Sequence, residues 1–247
     1  SNIANILLIL GLSAVIAPIA CEGRQVLRDG LAVLTASLMV GLLTFLGQIS
    51  FIFGLILLMS LIGYLSFVYL SERRAQALAA KIATHEVEED IPAHGLGFPA
   101  AIGVGIAGLV ALAGGAHFLV QGATEIALAF GVSNAVIGLT IVAVGTSLPE
   151  LATALVSAYR GHAGVVLGNV LGSNLFNMLG VLGATAMAAP VPLDGKIASF
   201  DVWIAIGVAA ILLPAIRSGK RLSRREGALF LILYAVYIYS AFVVSGA

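Results

Sequence analysis

Charge is what this sequence has least of: 10% of its 247 residues are Asp, Glu, Lys or Arg, against about 25% in an ordinary soluble domain. A water-soluble globule of this length could not cover itself with so few polar residues. That excludes a cytosolic enzyme, a disordered chain and a nucleic-acid binder. The 12 basic residues balance the 12 acidic ones, so no basic surface recruits a polyanion. The single cysteine, Cys21, excludes a disulfide framework and a thiolate metal cluster. No phosphate loop, nucleotide fingerprint or nucleophile beside a base is present, so neither ATP drive nor covalent catalysis is indicated, and the chain does not read as an enzyme. What remains is apolar: 60% of residues, with a mean hydropathy of +1.11. The 29 glycines suit closely packed membrane helices. The class is an all-α, polytopic membrane protein.

Apolar runs of about 20 residues can cross a bilayer as helices. Eight are present, over residues 1–20, 29–46, 49–70, 97–120, 134–158, 163–188, 199–216 and 226–244. They are continuous, unlike the short alternating segments of a β-barrel. With residue 1 outside, the inner loops carry Arg24, Arg28, Arg73, Arg74, Lys81, Arg160, Arg217, Lys220, Arg221, Arg224 and Arg225, leaving only Lys196 outside. The positive-inside rule thus supports an even number of spans, with both ends outside. The one long polar stretch, residues 71–96, carries Glu86, Glu88, Glu89 and Asp90 beside His85 and His94. Its carboxylates lack EF-hand spacing, so it reads as a solvated cytosolic linker rather than a regulatory cation site.

The chain also matches itself. Residues 1–18 align without gaps on residues 173–190, 172 positions apart, and nine of the eighteen are identical. Ser1, Asn2 and Asn5 fall on Ser173, Asn174 and Asn177, and Pro18 on Pro190. Five crossings separate the copies, so they run in opposite directions, as in the inverted repeats of many secondary transporters. The division expected is 1–70 as the remainder of a first repeat with three spans, 71–96 as linker and 97–247 as a second repeat with five. A first-repeat mate of Glu150 would precede Ser1, so the chain reads as eight helices of a ten-helix fold.

The fifth run contains Gly145-Thr146-Ser147-Leu148-Pro149-Glu150. Glu150 is a carboxylate deep in an apolar span, where a functional role is the default expectation. Thr140, Ala143, Ser147, Glu150, Ala154 and Ser157 recur on one face. Pro149 and Gly145 predict a break that leaves carbonyl oxygens free near Ala143 to Thr146. Such backbone is tolerated in a membrane only where it is buried or lines a cavity. Carbonyls, two hydroxyls and a carboxylate make the oxygen-only surroundings that Ca2+ and Na+ require. In the sixth run Asn169, Ser173 and Asn177 share a face; Asn169 is a candidate amide ligand, as is the Ser173 hydroxyl. Gly164, Gly168 and Gly172 form a stripe that would admit a close helix neighbour. His117 reads as a buried core residue, His162 as solvated and Glu125 as interfacial. Asp29 and Asp201 read as helix caps.

Together Gly145-Thr146-Ser147-Leu148-Pro149-Glu150 and Gly168-Asn169-Val170-Leu171-Gly172-Ser173-Asn174 resemble the second α-repeat of the calcium/cation antiporter superfamily, most closely its prokaryotic sodium/calcium exchanger branch. The resemblance implies a ten-helix fold with both ends outside, in the inner (plasma) membrane of a bacterium or archaeon. It implies exchange of Ca2+ for Na+ by alternating access, with no organic cofactor. Glu150 would be the central ligand shared by both ions. Ser147, with the carbonyls of Ala143 and Thr146, would serve flanking Na+ sites, and Asn169 matches a position held by Asn or Asp. Most of the first α-repeat and its partner carboxylate are absent, so helices supplied in cis or in trans would be needed for transport. Val165 stands where relatives often carry a hydroxyl. The alternatives are a Ca2+/H+ or K+-dependent antiporter of the same fold, a passive channel, or a non-transporting half-protein that needs a partner.

Overall fold

A computed structural model describes residues 1–21, 23–83, 97–132, 137, 141, 143–193, 200–218 and 221–245, and eight apolar helices lie among these described residues. They are α1 (Asn2–Ile16), α2 (Arg24–Thr44), α3 (Phe51–Ala83), α4 (Phe98–Ala129), α5 (Leu148–Tyr159), α6 (Ala163–Ala188), α7 (Val202–Ser218) and α8 (Arg224–Ser245). A single helical turn, Ala143–Gly145, precedes α5. By length and composition, Arg24–Thr44, Phe51–Arg74, Pro99–Ala129 and Ala163–Ala188 can each cross a membrane. Two of the sequence expectations, Thr140 on the polar face and the acidic part of the linker (84–96), lie outside the described residues.

Local chemistry sets the helix ends. In Ser223-Arg-Arg-Glu226 the Ser223 backbone N–H donates to Glu226 Oε2 (2.8 Å) and the Glu226 N–H donates to Ser223 Oγ (3.3 Å), so a capping box starts α8. Arg224 Nη2 donates to the Ile16 carbonyl (3.3 Å), at the end of α1. Gly161, at φ +77°, lets the chain reverse between α5 and α6 within three residues.

α1 and α6 form the centre. Ile9 and Leu10 of α1 and Val166 and Val170 of α6 have no exposed surface. Each helix contains a π-helical stretch, Asn5–Leu10 in α1 and Phe176–Val181 in α6, the two lying about 172 residues apart. The packing repeats at the same interval. Ile19–Ala20 pairs antiparallel with Arg221–Leu222, and Gln48–Ile49 with Val191–Pro192. A Cβ on Gly227 would lie 2.7 Å from the Gly11 carbonyl oxygen, and one on Gly54 would lie 2.7 Å from that of Gly183. α1 therefore meets α8, and α6 meets α3, at backbone contact that only glycine allows. Tyr64 donates to Asp29 Oδ1 (2.7 Å) between α3 and α2, and Tyr237 donates to Asp201 Oδ1 (3.2 Å) between α8 and the start of α7.

Two expectations are corrected. Asp29 does not cap a helix: it lies inside the first turns of α2, whose cap position is Gly23, and it binds Tyr64 and Arg28 instead. His117 is exposed on α4, with an edge contact to Phe118 at 5.9 Å between ring centres, rather than buried in the core. Gly164, Gly168 and Gly172 face open space among the described residues, so the neighbour their stripe would admit is not one of the described helices. His162 and Glu125 are exposed, as their loop and interfacial positions predict.

Candidate cation site

The break expected at Pro149 is present. After the turn Ala143–Gly145, Thr146 and Ser147 leave the helical path, and α5 starts afresh at Leu148 with Pro149 in its second position. Proline is tolerated there because its missing N–H would have no partner in the first turn. The Ser147 N–H bonds the Val144 carbonyl (3.0 Å), while the Ser147 carbonyl accepts from Leu151 (2.8 Å) and opens α5. Glu150 thus sits in the first turn of a helix, where the dipole favours a carboxylate. Gly145 rests against Val120 of α4, where any side chain would collide. That contact fixes the segment before the break on the long, otherwise exposed α4.

Two oxygens at the break are buried without a partner. Ser147 is 3% exposed and its Oγ makes no hydrogen bond; Glu150 Oε2 is likewise buried and unpartnered. A neutral group in that condition costs about 1–3 kcal/mol, and a charged one more. No salt bridge reaches Glu150 among the described residues. The arrangement therefore presents unsatisfied oxygens of the kind a hard cation takes. Among the described residues no three His, Cys, Asp or Glu side chains come together, so the donors here are one carboxylate, hydroxyls and backbone carbonyls.

α5 packs on α6 and on both halves of α1. Asn169 of α6 donates through Nδ2 to the backbone carbonyl of Glu150 (2.9 Å), which brings two of the expected residues together. Thr153 Oγ1 donates to the Pro149 carbonyl (2.9 Å), one turn back along α5. Ser157, on the same face, is 8% exposed. Ser173 is half-buried one turn beyond Asn169, Thr146 is exposed, and Val165 is 50% exposed.

Two further polar residues of the core emerge only from the packing. Asn5 Nδ2 donates to Asn174 Oδ1 (3.1 Å) between α1 and α6, with Asn5 1% and Asn174 0% exposed. Their other amide atoms, Asn5 Oδ1 and Asn174 Nδ2, are buried without partners, as is Ser13 Oγ. The mirror pair is Asn177 Nδ2 donating to Asn2 Oδ1 (3.3 Å). The self-alignment had already set Asn5 on Asn177 and Asn2 on Asn174. Amides repeated at two positions of both copies were the available signal. Elsewhere, Cys21 is a packed side chain, 6% exposed, and burial pushes its thiol up from the ordinary value.

An all-α bundle of apolar helices, with a broken helix and a buried, unpartnered carboxylate oxygen at the break, has the construction of a secondary ion transporter. The sequence profile of the family described as "Sodium/calcium exchanger protein" matches residues 1–70 and 100–243, and the chain belongs to that family. It is thus a membrane transporter of the cation antiporter kind, not an enzyme. The putative antiporter CaxA of Alkalimonas amylolytica is 33% identical over 98% of this chain and 76% of its own length. An uncharacterized membrane protein of Methanocaldococcus jannaschii is 34% identical, over 97% of this chain and 74% of its own. Among solved structures, the sodium-calcium exchanger NCX_Mj soaked with zero Na+ and Ca2+ superposes with a TM-score of 0.77 at 31% identity. That superposition covers 96% of this chain and 72% of that one.

Proposed function

We propose that the protein exchanges Ca2+ for Na+ across the membrane by alternating access, with Glu150 as the central cation ligand. The observation that carries this is the pair of orphaned buried oxygens, Ser147 Oγ and Glu150 Oε2, at a helix break inside an apolar bundle. The Ser147 hydroxyl, the backbone carbonyls of Ala143 and Thr146 and the Ser173 hydroxyl complete the oxygen set. Na+ and Ca2+ compete for these overlapping oxygens, so a Na+ gradient drives Ca2+ the other way. The bundle lies in the inner membrane with both ends outside and the linker 71–96 in the cytoplasm, as the distribution of basic residues favours. Residues 1–70 belong to one inverted repeat and 97–247 to the other.

One carboxylate is a weak cage for a divalent ion. The packing suggests what else takes part. A cavity of about 560 Å3 opens between the start of α1, α2, the second half of α6, α7 and α8. Asn177, Val181, Leu182 and Thr185 line it. Their counterparts 172 residues earlier, Asn5, Ile9, Leu10 and Ser13, are at most 1% exposed in the layer that α5 and α8 cover. The groove is the seat of a further helix of the α5 kind, present in the whole protein or supplied by a partner, and transport requires it.

The test is Ca2+ uptake by liposomes carrying the full-length protein, with Na+, K+ and H+ gradients imposed in turn. Uptake that follows the Na+ gradient alone is the expected result, and Glu150→Gln abolishes it. Uptake that follows the H+ gradient, or requires K+, assigns the other coupling ion. Conduction with no counter-ion dependence overturns the exchanger reading in favour of a channel.

A further inference from the structure

The turn from α7 to α8 concentrates positive charge as no other segment does. Arg217, Lys220, Arg221, Arg224 and Arg225 fall within nine residues, with Glu226 as their one acidic neighbour there. The fold turns these arginines outward. Strand Arg221–Leu222 pairs with Ile19–Ala20, and its Leu222 is 0% exposed. Successive strand side chains point to opposite faces, so Arg221 faces away from the core. Arg217, Arg221, Arg224 and Arg225 are all exposed, and among the described residues no salt bridge reaches any of them. Glu226 is engaged in the capping box with Ser223. Arg224 places one N–H on the Ile16 carbonyl, which leaves most of its donors unused. The matching connection shows that the fold does not require the charge. Residues 45–54, 172 positions earlier, lead from α2 to α3 through strand Gln48–Ile49 and contain no charged residue.

A second observation starts at the same place. Leu229, Ile232, Val236 and Tyr239 follow Arg225 at spacings of four, three, four and three along α8, so they form one stripe with it. They are 50%, 60%, 57% and 72% exposed. Arg225 to Val236 is about 16 Å of helix, close to the ~15 Å depth of one leaflet's hydrocarbon. We infer that this surface binds an anionic phospholipid: Arg221, Arg224 and Arg225 hold the headgroup phosphate, and Leu229, Ile232 and Val236 carry an acyl chain. The guanidinium fork matches a phosphate with two parallel hydrogen bonds. A zwitterionic lipid offers the same phosphate but brings its own cation, so the site favours a lipid of net negative charge. A free phosphate would meet the arginines but gain nothing from the stripe. Which leaflet supplies the lipid rests on the proposed orientation; the binding does not.

The test uses the full-length protein in neutral detergent. Phosphatidylglycerol and phosphatidylcholine with identical acyl chains compete for it, and native mass spectrometry reads which is retained. Phosphatidylglycerol should be retained about ten-fold or more over phosphatidylcholine. The triple variant Arg221→Gln, Arg224→Gln, Arg225→Gln should cut that preference to about two-fold or less. The double variant Arg73→Gln, Arg74→Gln removes two exposed cations at the end of the α3 span and should leave the preference unchanged. For the wild-type protein, a photoactivatable phosphatidylglycerol should attach within residues 221–236, a readout that needs no variant to fold. Equal retention of the two lipids, attachment elsewhere, or an equal loss in the Arg73 and Arg74 variant overturns the site. Displacement of the lipid by millimolar inorganic phosphate overturns it in favour of a free anion. If the preference and the attachment hold while this turn proves to face the outside, the proposed orientation fails and the site stands.

Discussion

α1 and the second half of α6 are alike in sequence and unlike in surroundings. Both carry Ser-Asn-x-x-Asn, at Ser1–Asn5 and at Ser173–Asn177, both contain a π-helical stretch, and both meet a partner helix at a glycine-to-glycine backbone contact. Yet the face running through Asn5, Ile9, Leu10 and Ser13 of α1 is sealed, while the matching face of α6 leaves Val181 49% exposed and Thr185 exposed. Two similar sequences therefore sit in different surroundings because α5 covers one and no described helix covers the other. Burial here is a property of the neighbour, not of the helix that is buried.

The largest effect expected from this difference is on Leu10 and its mate Leu182. Leu10 has no exposed surface, and Leu10→Ala should leave a cavity costing about 2–5 kcal/mol. Leu182 is half-buried at the groove, and Leu182→Ala should cost clearly less. Denaturant titration in mixed micelles measures both. Equal losses would mean that the groove is closed in solution.

The glycine contacts come next, and here the two halves should agree. Gly54→Ala and Gly227→Ala each force a methyl to about the same 2.7 Å from a facing carbonyl, so each should destabilise by about 1–3 kcal/mol. Gly168→Ala meets nothing within 4 Å, and in this chain it should be neutral or gain up to about 1 kcal/mol of helix propensity. The same comparison in the full-length protein is sharper still. If Gly168→Ala is harmless in the 247-residue chain but harmful in the longer one, a helix beyond this chain uses that stripe.

Much of this was legible in the sequence because membrane helices announce themselves by length and apolarity, and because proline and glycine mark breaks. The helices fall on the eight apolar runs, and the restart at Leu148 follows from Pro149 in the helix's first turn. The π-helical stretches were not legible: nothing in Asn5–Leu10 differs in composition from an ordinary apolar helix. Nor was the state of Asp29, since its partner Tyr64 is 35 residues away and only folding brings them together. The environment of His117 was misread for a related reason. An apolar stretch is compatible with either a lipid-facing or a core helix, and α4 proves largely exposed. The bond from Asn169 to the Glu150 carbonyl was hidden by the same limit, because spacing places a residue on a face but does not say which atom of a neighbour it meets.

The smallest predicted effect separates the two tyrosine–aspartate pairs, and it runs against their bond lengths. Tyr64 binds Asp29 at 2.7 Å and Tyr237 binds Asp201 at 3.2 Å, so length alone would make Tyr64→Phe the costlier change. What matters is what the carboxylate keeps afterwards. Arg28 Nε lies 2.7 Å from Asp29 Oδ1, so Asp29 retains a charged partner without Tyr64. The residue matching Arg28 at the other end is Phe200, which stacks on Tyr237 at 6.5 Å between ring centres and offers no donor. Among the described residues Asp201 keeps no other hydrogen bond. Losing one of two partners costs about 0.5–1.5 kcal/mol, whereas orphaning a half-buried carboxylate costs about 1–3 kcal/mol or more. Tyr237→Phe should therefore destabilise the protein more than Tyr64→Phe, by about 1 kcal/mol in the same micelle titration. Equal costs would mean that Asp201 gains a partner in the folded protein that Asp29 does not need.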